Sequence, residues 1–158
     1  MTLRRIVSGG QTGVDRGALD AALAAGAGCG GWCPAGRKAE DGDIPARYPL
    51  AEMGGGYAAR TERNVVDSDA TWILAPGPLH GGTGLTARLC TRHGRPCLVS
   101  DANRLTPEAA AREAAAFVRE HRIAVLNVAG PRASHWGEGC TWAQTAVRVL
   151  LDELESSV

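Results

Sequence analysis

The sequence predicts an α/β fold built on a parallel sheet, with five strands and five helices. Short apolar runs alternate along the chain with amphipathic helical segments, which is typical of a parallel sheet. Two of the runs end in glycine-rich loops that lead straight into a helix, and ligands of such sheets bind at that edge. With 158 residues the chain has the length of one domain with a substantial core. We therefore expect a single α/β domain over 1–158.

The first half of the chain contains four predicted elements. Arg5–Ser8 is an apolar run that ends at paired glycines, as a strand before a tight turn does. Gly13–Ala25 has apolar residues at helical spacing and is followed by a glycine, which is typical of a helix C-terminus. Gly30–Cys33 predicts a weak second strand. Thr61–Ser68 predicts a short helix with Thr61 as its N-cap.

The second half repeats the alternation. Its predicted elements are a strand over Ala70–Ala75, a helix over Thr83–His93, a strand over Pro96–Ser100, a helix that begins after Thr106, a strand over Ile123–Val128 and a closing helix with an apolar stripe. Thr106-Pro107-Glu108 supplies an N-cap, a proline at the first helical position and an acid in the first turn.

Pro34–Arg60 does not follow this rhythm. It is rich in proline, glycine and charge and has no sustained period. Segments of this length without regular structure are uncommon in compact domains and are usually functional or mobile. We predict a loop on the substrate side, with a solvated insertion as the alternative.

Composition excludes several classes of protein. The 17 basic and 17 acidic side chains cancel, which argues against a non-specific nucleic-acid binder. With 44% hydrophobic and 22% charged residues the chain resembles an ordinary globular domain, not a disordered one. No apolar run has the length of a transmembrane helix. Met1–Arg5 leads into a short predicted strand, whereas a signal peptide would continue into a longer apolar segment. We therefore expect a cytoplasmic protein without membrane partners. The five cysteines are irregularly spaced and predict neither a disulfide framework nor a zinc site.

The loop after the first strand, Ser8–Gly17, has the composition of an anion cradle. Its glycines allow close backbone approach, and the helix that follows offers free N–H groups and the positive end of its dipole. Gln11 and Thr12 add neutral donors, and Arg16 adds a cation. The loop is neither a G-x-G-x-x-G fingerprint nor a P-loop.

Three further loops resemble it in composition. Pro76–Gly84 is again a glycine loop between strand and helix, Asn127–Ser134 follows the last strand, and Arg60–Asn64 is predicted at the N-terminus of the short helix. Arg16, Arg63 and Arg132 are therefore expected near strand ends. The loops together predict a phosphate or oxyanion site, with ordinary turns and surface arginines as the alternative.

Catalytic machinery is not evident. The chain has no G-x-S-x-G elbow, no histidine pair at helical spacing and no cysteine with an evident histidine partner. If the protein were a hydrolase, Asp15 or Glu62 would be the candidate acid.

Five ordered motifs resemble the molybdenum carrier family, also described as molybdenum cofactor carrier proteins. They are S-G-G-Q-T-G-V-D-R-G-A-L-D-A-A (8–22), G-W-C-P-A-G-R-K-A-E-D-G (31–42), Y-x-x-R-T-x-x-N-V (57–65), P-G-x-x-x-G-G-T-G-L-T (76–86) and N-V-A-G-P-R-A-S (127–134). That family is a circularly permuted branch of the SLOG, or lysine-decarboxylase-like, Rossmann superfamily. The resemblance implies a Rossmann-like, doubly wound fold with helices on both faces, a homo-oligomer (dimer or tetramer), and binding of molybdenum cofactor, a phosphate-bearing pterin with an oxo-metal.

The resemblance also implies site residues. The family's first anion loop corresponds to Gly9, Gly10, Gln11, Thr12 and Gly13. The glycine loop that holds phosphate in the superfamily corresponds to Gly81, Gly82, Thr83 and Gly84. The terminal motif of the family corresponds to Asn127, Gly130, Arg132 and Ser134. With Arg16, Lys38, Arg63 and Asn64 these complete the predicted cofactor-binding site, and we assign no catalytic or metal-ligating residue.

One departure from the superfamily bears on activity. Phosphoribohydrolase relatives carry G-G-x-G-T-x-x-E, whose glutamate serves N-glycosidic cleavage. In this chain Leu85 replaces that threonine and Arg88 replaces that glutamate. A cation cannot perform the proton transfer of an acid. The sequence therefore favours binding over hydrolysis.

Three functions remain open at this point. The first is a carrier or store of molybdenum cofactor, with molybdoenzymes or cofactor-synthesis proteins as partners and phosphate, molybdate or tungstate as surrogate ligands. The second is a sensor of a nucleotide-derived ligand, and the third is a nucleotide hydrolase.

Overall fold

The structure is a computed structural model that describes residues 3–156, so the first two residues of Met1–Arg5 lie outside it. Its strands are β1 (Arg5–Val7), β2 (Gly28–Gly30), β3 (Trp32–Pro34), β4 (Lys38–Ala39), β5 (Gly42–Asp43), β6 (Ala51–Met53), β7 (Ala70–Ala75), β8 (Cys97–Asp101) and β9 (Val125–Ala129). Its helices are α1 (Val14–Ala24), α2 (Gly56–Val66), α3 (Gly81–Arg92), α4 (Pro107–His121) and α5 (Gly139–Ser156).

A five-stranded parallel sheet forms the centre, in the order β2-β1-β9-β7-β8. The last strand in sequence, β9, lies between β1 and β7, with Leu126 opposite both Ile6 and Ala70. The remaining strands form two small pairs, β3 with β6 and β4 with β5. This arrangement confirms the predicted Rossmann-like α/β fold.

Helices cover both faces of the sheet. Trp72 and Leu74 of β7 belong to the largest core cluster, together with residues of α1, α4 and α5. Side chains alternate between the faces of a strand, and Thr71 accordingly contacts Cys90 of α3 on the other face. There Val65 of α2 packs against α3. Each layer thus buries one face of the sheet.

The predicted start of α4 is confirmed. The Thr106 hydroxyl accepts a hydrogen bond from the Ala109 N–H at 3.1 Å, and Pro107 occupies the first turn. The cap satisfies one of the N–H groups that a helix N-terminus leaves free.

Three local predictions were wrong. The second strand was predicted at Gly30–Cys33, but the strand that pairs with β1 is β2, which ends at Gly30. Gly31, at φ +132 and close to the Ser8 backbone, turns the chain there, and the following strand, β3, pairs with β6 instead. Helix α2 begins at Gly56, so Thr61 is a buried residue inside the helix and caps nothing. Pro34–Arg60 is not structureless, since it contains β4, β5, β6 and the first turn of α2.

No helix within residues 3–156 is long and apolar enough to cross a membrane.

Candidate functional site

A cavity of about 390 Å³ opens at the carboxyl ends of β1, β9 and β7. β9 and β7 are neighbours, but α5 packs on one face of the sheet and α3 on the other. Such a reversal leaves a crevice between the two loops, which is where ligands bind to open α/β sheets. Residues from the loops after all three strands line it.

The N-terminus of α3 forms one side of this cavity. His80, Gly81, Gly82 and Thr83 all line it, and no side chain caps the helix. The first N–H groups of a helix have no intrahelical partner, and the helix dipole adds partial positive charge there. Together these groups can bind an anion such as phosphate.

Arg60 of α2 and Asp15 of α1 form the inner wall. Their side chains are 13% and 7% exposed, and Arg60 Nη1 lies 3.8 Å from Asp15 Oδ2. Arg60 Nε is buried and has no hydrogen-bond partner within the described residues. Gly9 makes room for the guanidinium, because a Cβ there would overlap it. The charge is thus paired with Asp15, but a buried N–H without a hydrogen-bond partner is rare, since buried donors are normally hydrogen-bonded.

Burial raises the pKa of the Asp15 carboxyl, because charge is costly away from water. The Arg60 cation and backbone N–H groups of Gln11 and Gly9 act in the opposite direction. Asp15 Oδ2 accepts the Gln11 N–H at 3.2 Å. The carboxyl thus holds both the loop after β1 and Arg60 in place.

Arg132 brings a second cation to the cavity from the loop after β9. Its guanidinium lies 5.8 Å from the centre of the Tyr57 ring, and that of Arg60 lies 5.9 Å from the same ring. Both contacts are within cation–π range. Tyr57 therefore keeps the two cations near each other.

Glu40, Thr12 and Ser134 tie the loops of the site together. Glu40 accepts hydrogen bonds from the Thr12 hydroxyl at 2.5 Å and the Ser134 hydroxyl at 2.6 Å. The Thr12 oxygen also accepts the Ala133 N–H at 3.0 Å. Gly13, at φ +83, lies against the backbone of Pro131 so closely that a Cβ would not fit. Thr12, Gly13 and Ser134 therefore join the loop after β1 to the loop after β9.

Gln11 lies on the cavity wall and is 6% exposed. Its Oε1 accepts the N–H groups of Thr12 at 3.1 Å and Glu40 at 2.9 Å. Its Nε2 is buried and has no hydrogen-bond partner in the described part of the chain.

The cavity brings together only part of the predicted site. The predicted residues that line it are Gln11, Gly81, Gly82, Thr83, Gly130 and Arg132. Gly9, Gly10, Thr12, Gly13 and Ser134 belong to the loops after β1 and β9 but are not among the lining residues. Gly84 lies buried within α3, and Asn127 is buried in β9, where its amide donates to Thr71.

The remaining four predicted residues also lie outside the cavity lining; three of them are held by protein partners, and the fourth lines another cavity. Asp41 neutralises Arg16 through two hydrogen bonds of 2.6 and 2.8 Å. Arg63 stacks on Trp32 and bonds Asp67 at 2.8 Å. Asn64 pairs with the backbone of Trp32. Lys38 lines a second cavity of about 250 Å³ beside Tyr57.

Sequence reasoning missed Arg60, His80, Thr86 and His135 as lining residues and treated Asp15 only as a hydrolase candidate. A signal for Arg60 existed, since it is the arginine of the R-T motif at 60–61. The error came from placing the start of α2 at Thr61, which left Arg60 at a helix end instead of inside the helix.

A comparison with family models identifies the family of the chain. The model of the circularly permutated YpsA SLOG family matches residues 6–151. The chain belongs to this family. The predicted resemblance is thereby confirmed.

A solved structure agrees with that family membership. The SLOG chain is similar to a crystal structure from Syntrophus aciditrophicus named "Putative molybdenum carrier protein", with 43% sequence identity and a TM-score of 0.92. The similarity covers 95% of this chain and 96% of the other. No curated protein matches the sequence.

Arg88, which replaces the superfamily glutamate, and Glu62, a candidate acid, both lie outside the cavity lining. Arg88 is exposed on α3 and does not line the cavity. Glu62 pairs with His93 at 2.8 Å on the surface. Of the described residues that line the cavity, Asp15 is the only carboxylate. Residues 3–156 also contain no cluster of His, Cys, Asp or Glu that could hold a metal ion.

Proposed function

We propose that the protein binds molybdenum cofactor in the cavity between β9 and β7, and carries or stores it without catalysing a reaction. One observation carries this proposal: an uncapped helix N-terminus and the nearly buried guanidinium of Arg60, whose Nε has no hydrogen-bond partner in the described residues, line the same cavity. The N-terminus of α3 has no side-chain cap, and Arg60 Nε has no hydrogen-bond partner within residues 3–156, so both offer N–H groups to an anion.

Size and charge support a phosphate-bearing small molecule. The volume of about 390 Å³ falls in the usual range of small-molecule pockets, about 300–1,000 Å³. Two arginines and one carboxylate line the cavity, so the charge around it is positive, although the net charge of the whole protein is zero. Affinity for an anion therefore depends mainly on local geometry, since a protein without net charge exerts little long-range attraction.

The donors suggest a division of roles. The N-terminus of α3 and Thr83 would take the phosphate, as helix N-termini commonly do. Arg60 and Arg132 would take the oxo groups of the metal through charge-assisted hydrogen bonds. Arg60 thus assumes the role first expected of Arg16 and Arg63, which are held elsewhere.

A second candidate function is hydrolysis or sensing of a nucleotide-derived ligand. It is favoured by Asp15, a carboxyl with a raised pKa on the cavity wall. Such a group is a candidate general acid. The contact with Arg60 and the loss of the superfamily glutamate at Arg88 weigh against catalysis.

The identity of the ligand is tested by mass spectrometry. Protein purified anaerobically from a cofactor-producing host is denatured, and the released small molecules are identified. A pterin supports the carrier function. A nucleotide would refute it in favour of the second candidate.

The site is tested by titrating variants with molybdate and phosphate. Arg132→Ala removes one charge-assisted contact from a partly buried site. We expect a loss of about 1.5–3 kcal/mol, which is roughly ten- to a hundredfold in affinity.

Two arginine variants serve as controls for this titration. Arg148→Ala, on the exposed surface of α5, and Arg63→Ala, stacked on Trp32, should bind as the wild type does. Equal affinity of wild type and Arg132→Ala would remove the loop after β9 from the site.

The proposal extends to the setting of the protein. A single domain over 1–158, assembled as a homo-oligomer in the cytoplasm, would exchange the cofactor with molybdoenzymes or cofactor-synthesis proteins.

A further inference from the structure

The orientation of the Gln11 amide is determined by its neighbours. Thr12 and Glu40 both direct backbone N–H groups at one end of the amide, at 3.1 and 2.9 Å. An end that accepts two hydrogen bonds must be the oxygen, which resolves the usual ambiguity between the two ends of an amide. The other end is therefore the NH₂ group, with two protons to donate.

That NH₂ group lacks an acceptor. It is buried in a side chain that is 6% exposed, it belongs to a residue on the cavity wall, and it has no partner in residues 3–156. The second buried donor without a partner is Arg60 Nε, on a residue of the same wall. Folded proteins pair nearly all buried donors, so these two donors, on residues that line the same cavity, are open to an acceptor that a ligand would supply.

We infer that Gln11 Nε2 donates a hydrogen bond to a ring carbonyl oxygen of the ligand, so that the site selects keto heterocycles such as pterin or guanine over amino heterocycles such as adenine. The inference rests on the proposed function, because it requires a ring-bearing ligand in this cavity. It adds to that function the residue that recognises the ring.

Donor and acceptor chemistry gives the direction of the selectivity. A keto oxygen has lone pairs and no proton, so it pairs with the Gln11 NH₂ group. The amino group of adenine, in the same place, would direct N–H toward N–H and leave both groups unpaired. Selectivity then comes from the mismatch as much as from the favourable contact.

The experiment titrates the full chain with GMP and AMP as probes, and with inorganic phosphate in parallel. GMP carries the keto-and-amino pyrimidine ring that is also found in a pterin, whereas AMP carries the amino group alone. We expect the wild type to bind GMP at least about tenfold more tightly than AMP, as one matched against one mismatched buried hydrogen bond implies.

Gln11→Glu assigns the selectivity to this residue. The substitution retains an oxygen for the Thr12 and Glu40 N–H groups, replaces the donor by an acceptor and adds one ionisable carboxyl, whose charge acts on GMP and AMP alike. We expect it to abolish or reverse the preference for GMP. Gln144→Glu, exposed on α5 and outside the cavity lining, makes the same change of charge and should keep the preference.

Each outcome has a definite meaning. Equal binding of GMP and AMP by the wild type, including binding of neither, overturns the inference without recourse to any variant. A GMP preference that persists in Gln11→Glu overturns the assignment to Gln11. Phosphate separates the two proposals: if it binds while the nucleotides are not distinguished, only the ring inference fails, and if neither phosphate nor molybdate binds, the proposed function fails as well.

Discussion

Replacing Arg60 with methionine tests the electrostatics of the inner wall. Arg60→Met keeps most of the aliphatic volume of the side chain inside α2 but removes the guanidinium. Asp15, whose side chain is 7% exposed, then loses its nearest cation. The variant should be less stable than the wild type, and by an amount that depends on pH.

The size of the effect follows from the geometry. Coulomb's law with an effective dielectric constant of about 20 gives about 4 kcal/mol for opposite unit charges 3.8 Å apart. Removing one partner of a buried ion pair typically costs about 3–5 kcal/mol. We expect the lower end, about 3 kcal/mol near pH 8, because Asp15 can take up a proton instead of remaining charged.

The pH dependence has a definite sign. Burial already raises the pKa of Asp15, and Arg60 opposes that rise. Without Arg60 the pKa rises further, so the folded variant retains a proton that the unfolded chain releases above a pKa of about 3.9. Where the folded state binds more protons, stability falls as pH rises. The wild type shares part of this loss because its own Asp15 pKa is raised, so the difference in stability between wild type and variant should grow above the folded pKa of Asp15 in the wild type.

The measurement is the free energy of unfolding in urea at about pH 5 and about pH 8, for the wild type, Arg60→Met, and Arg60→Met combined with Asp15→Asn. The double variant has no buried charge left unpaired, so it should recover most of the loss. An equal difference at both pH values, or a double variant as unstable as Arg60→Met, would show that the Asp15–Arg60 interaction has no such role.

Two further predictions concern other parts of the fold. Thr106→Ala removes the N-cap of α4 and should lower the free energy of unfolding by about 1 kcal/mol, measured in urea, while Thr91→Ala on the exposed surface of α3 should change it little. Hydroxyl donors of Ser134 and Thr12 lower the pKa of Glu40, so its contribution is present above its unfolded pKa of about 4.3 and is lost as pH falls through the lower folded value. Glu40→Gln should flatten the acid side of the stability profile, and an unchanged acid transition would contradict that role.

How well the sequence predicted each element depended on how local its determinants are. The start of α4 was correct because Thr106, Pro107 and Glu108 are adjacent and act within one helical turn. The start of α2 was wrong because its first turn, Gly56–Arg60, has no capping side chain and is followed by a threonine that resembles one.

The predicted site shows the same dependence on how local the determinants are. The glycine-rich loops after β1 and β7 were predicted from composition, since close approach and helix N-termini have a local signature, and both loops contribute residues to the cavity. The sequence did not predict which arginines line the cavity: it named Arg16 and Arg63, which do not, and missed Arg60, which does. Arg16 bonds Asp41, 25 residues away, and Arg60 fits beneath Gly9, and neither contact can be read from its own neighbourhood.

The sequence by itself determined the alternation of strands and helices, the glycine-rich loops at the strand ends and the family, because periodicity, caps and ordered motifs lie within short stretches of chain. Only the tertiary structure decided which donors meet at one cavity. β9 comes last in the chain yet lies between β1 and β7, so the cavity is assembled from loops that are far apart in sequence. The ion pair with Asp41 keeps Arg16 out of the cavity lining, whereas Arg60 Nε and Gln11 Nε2 have no hydrogen-bond partner in the described residues. The sequence could not show this, because hydrogen-bond geometry depends on proximity in space and not on order along the chain.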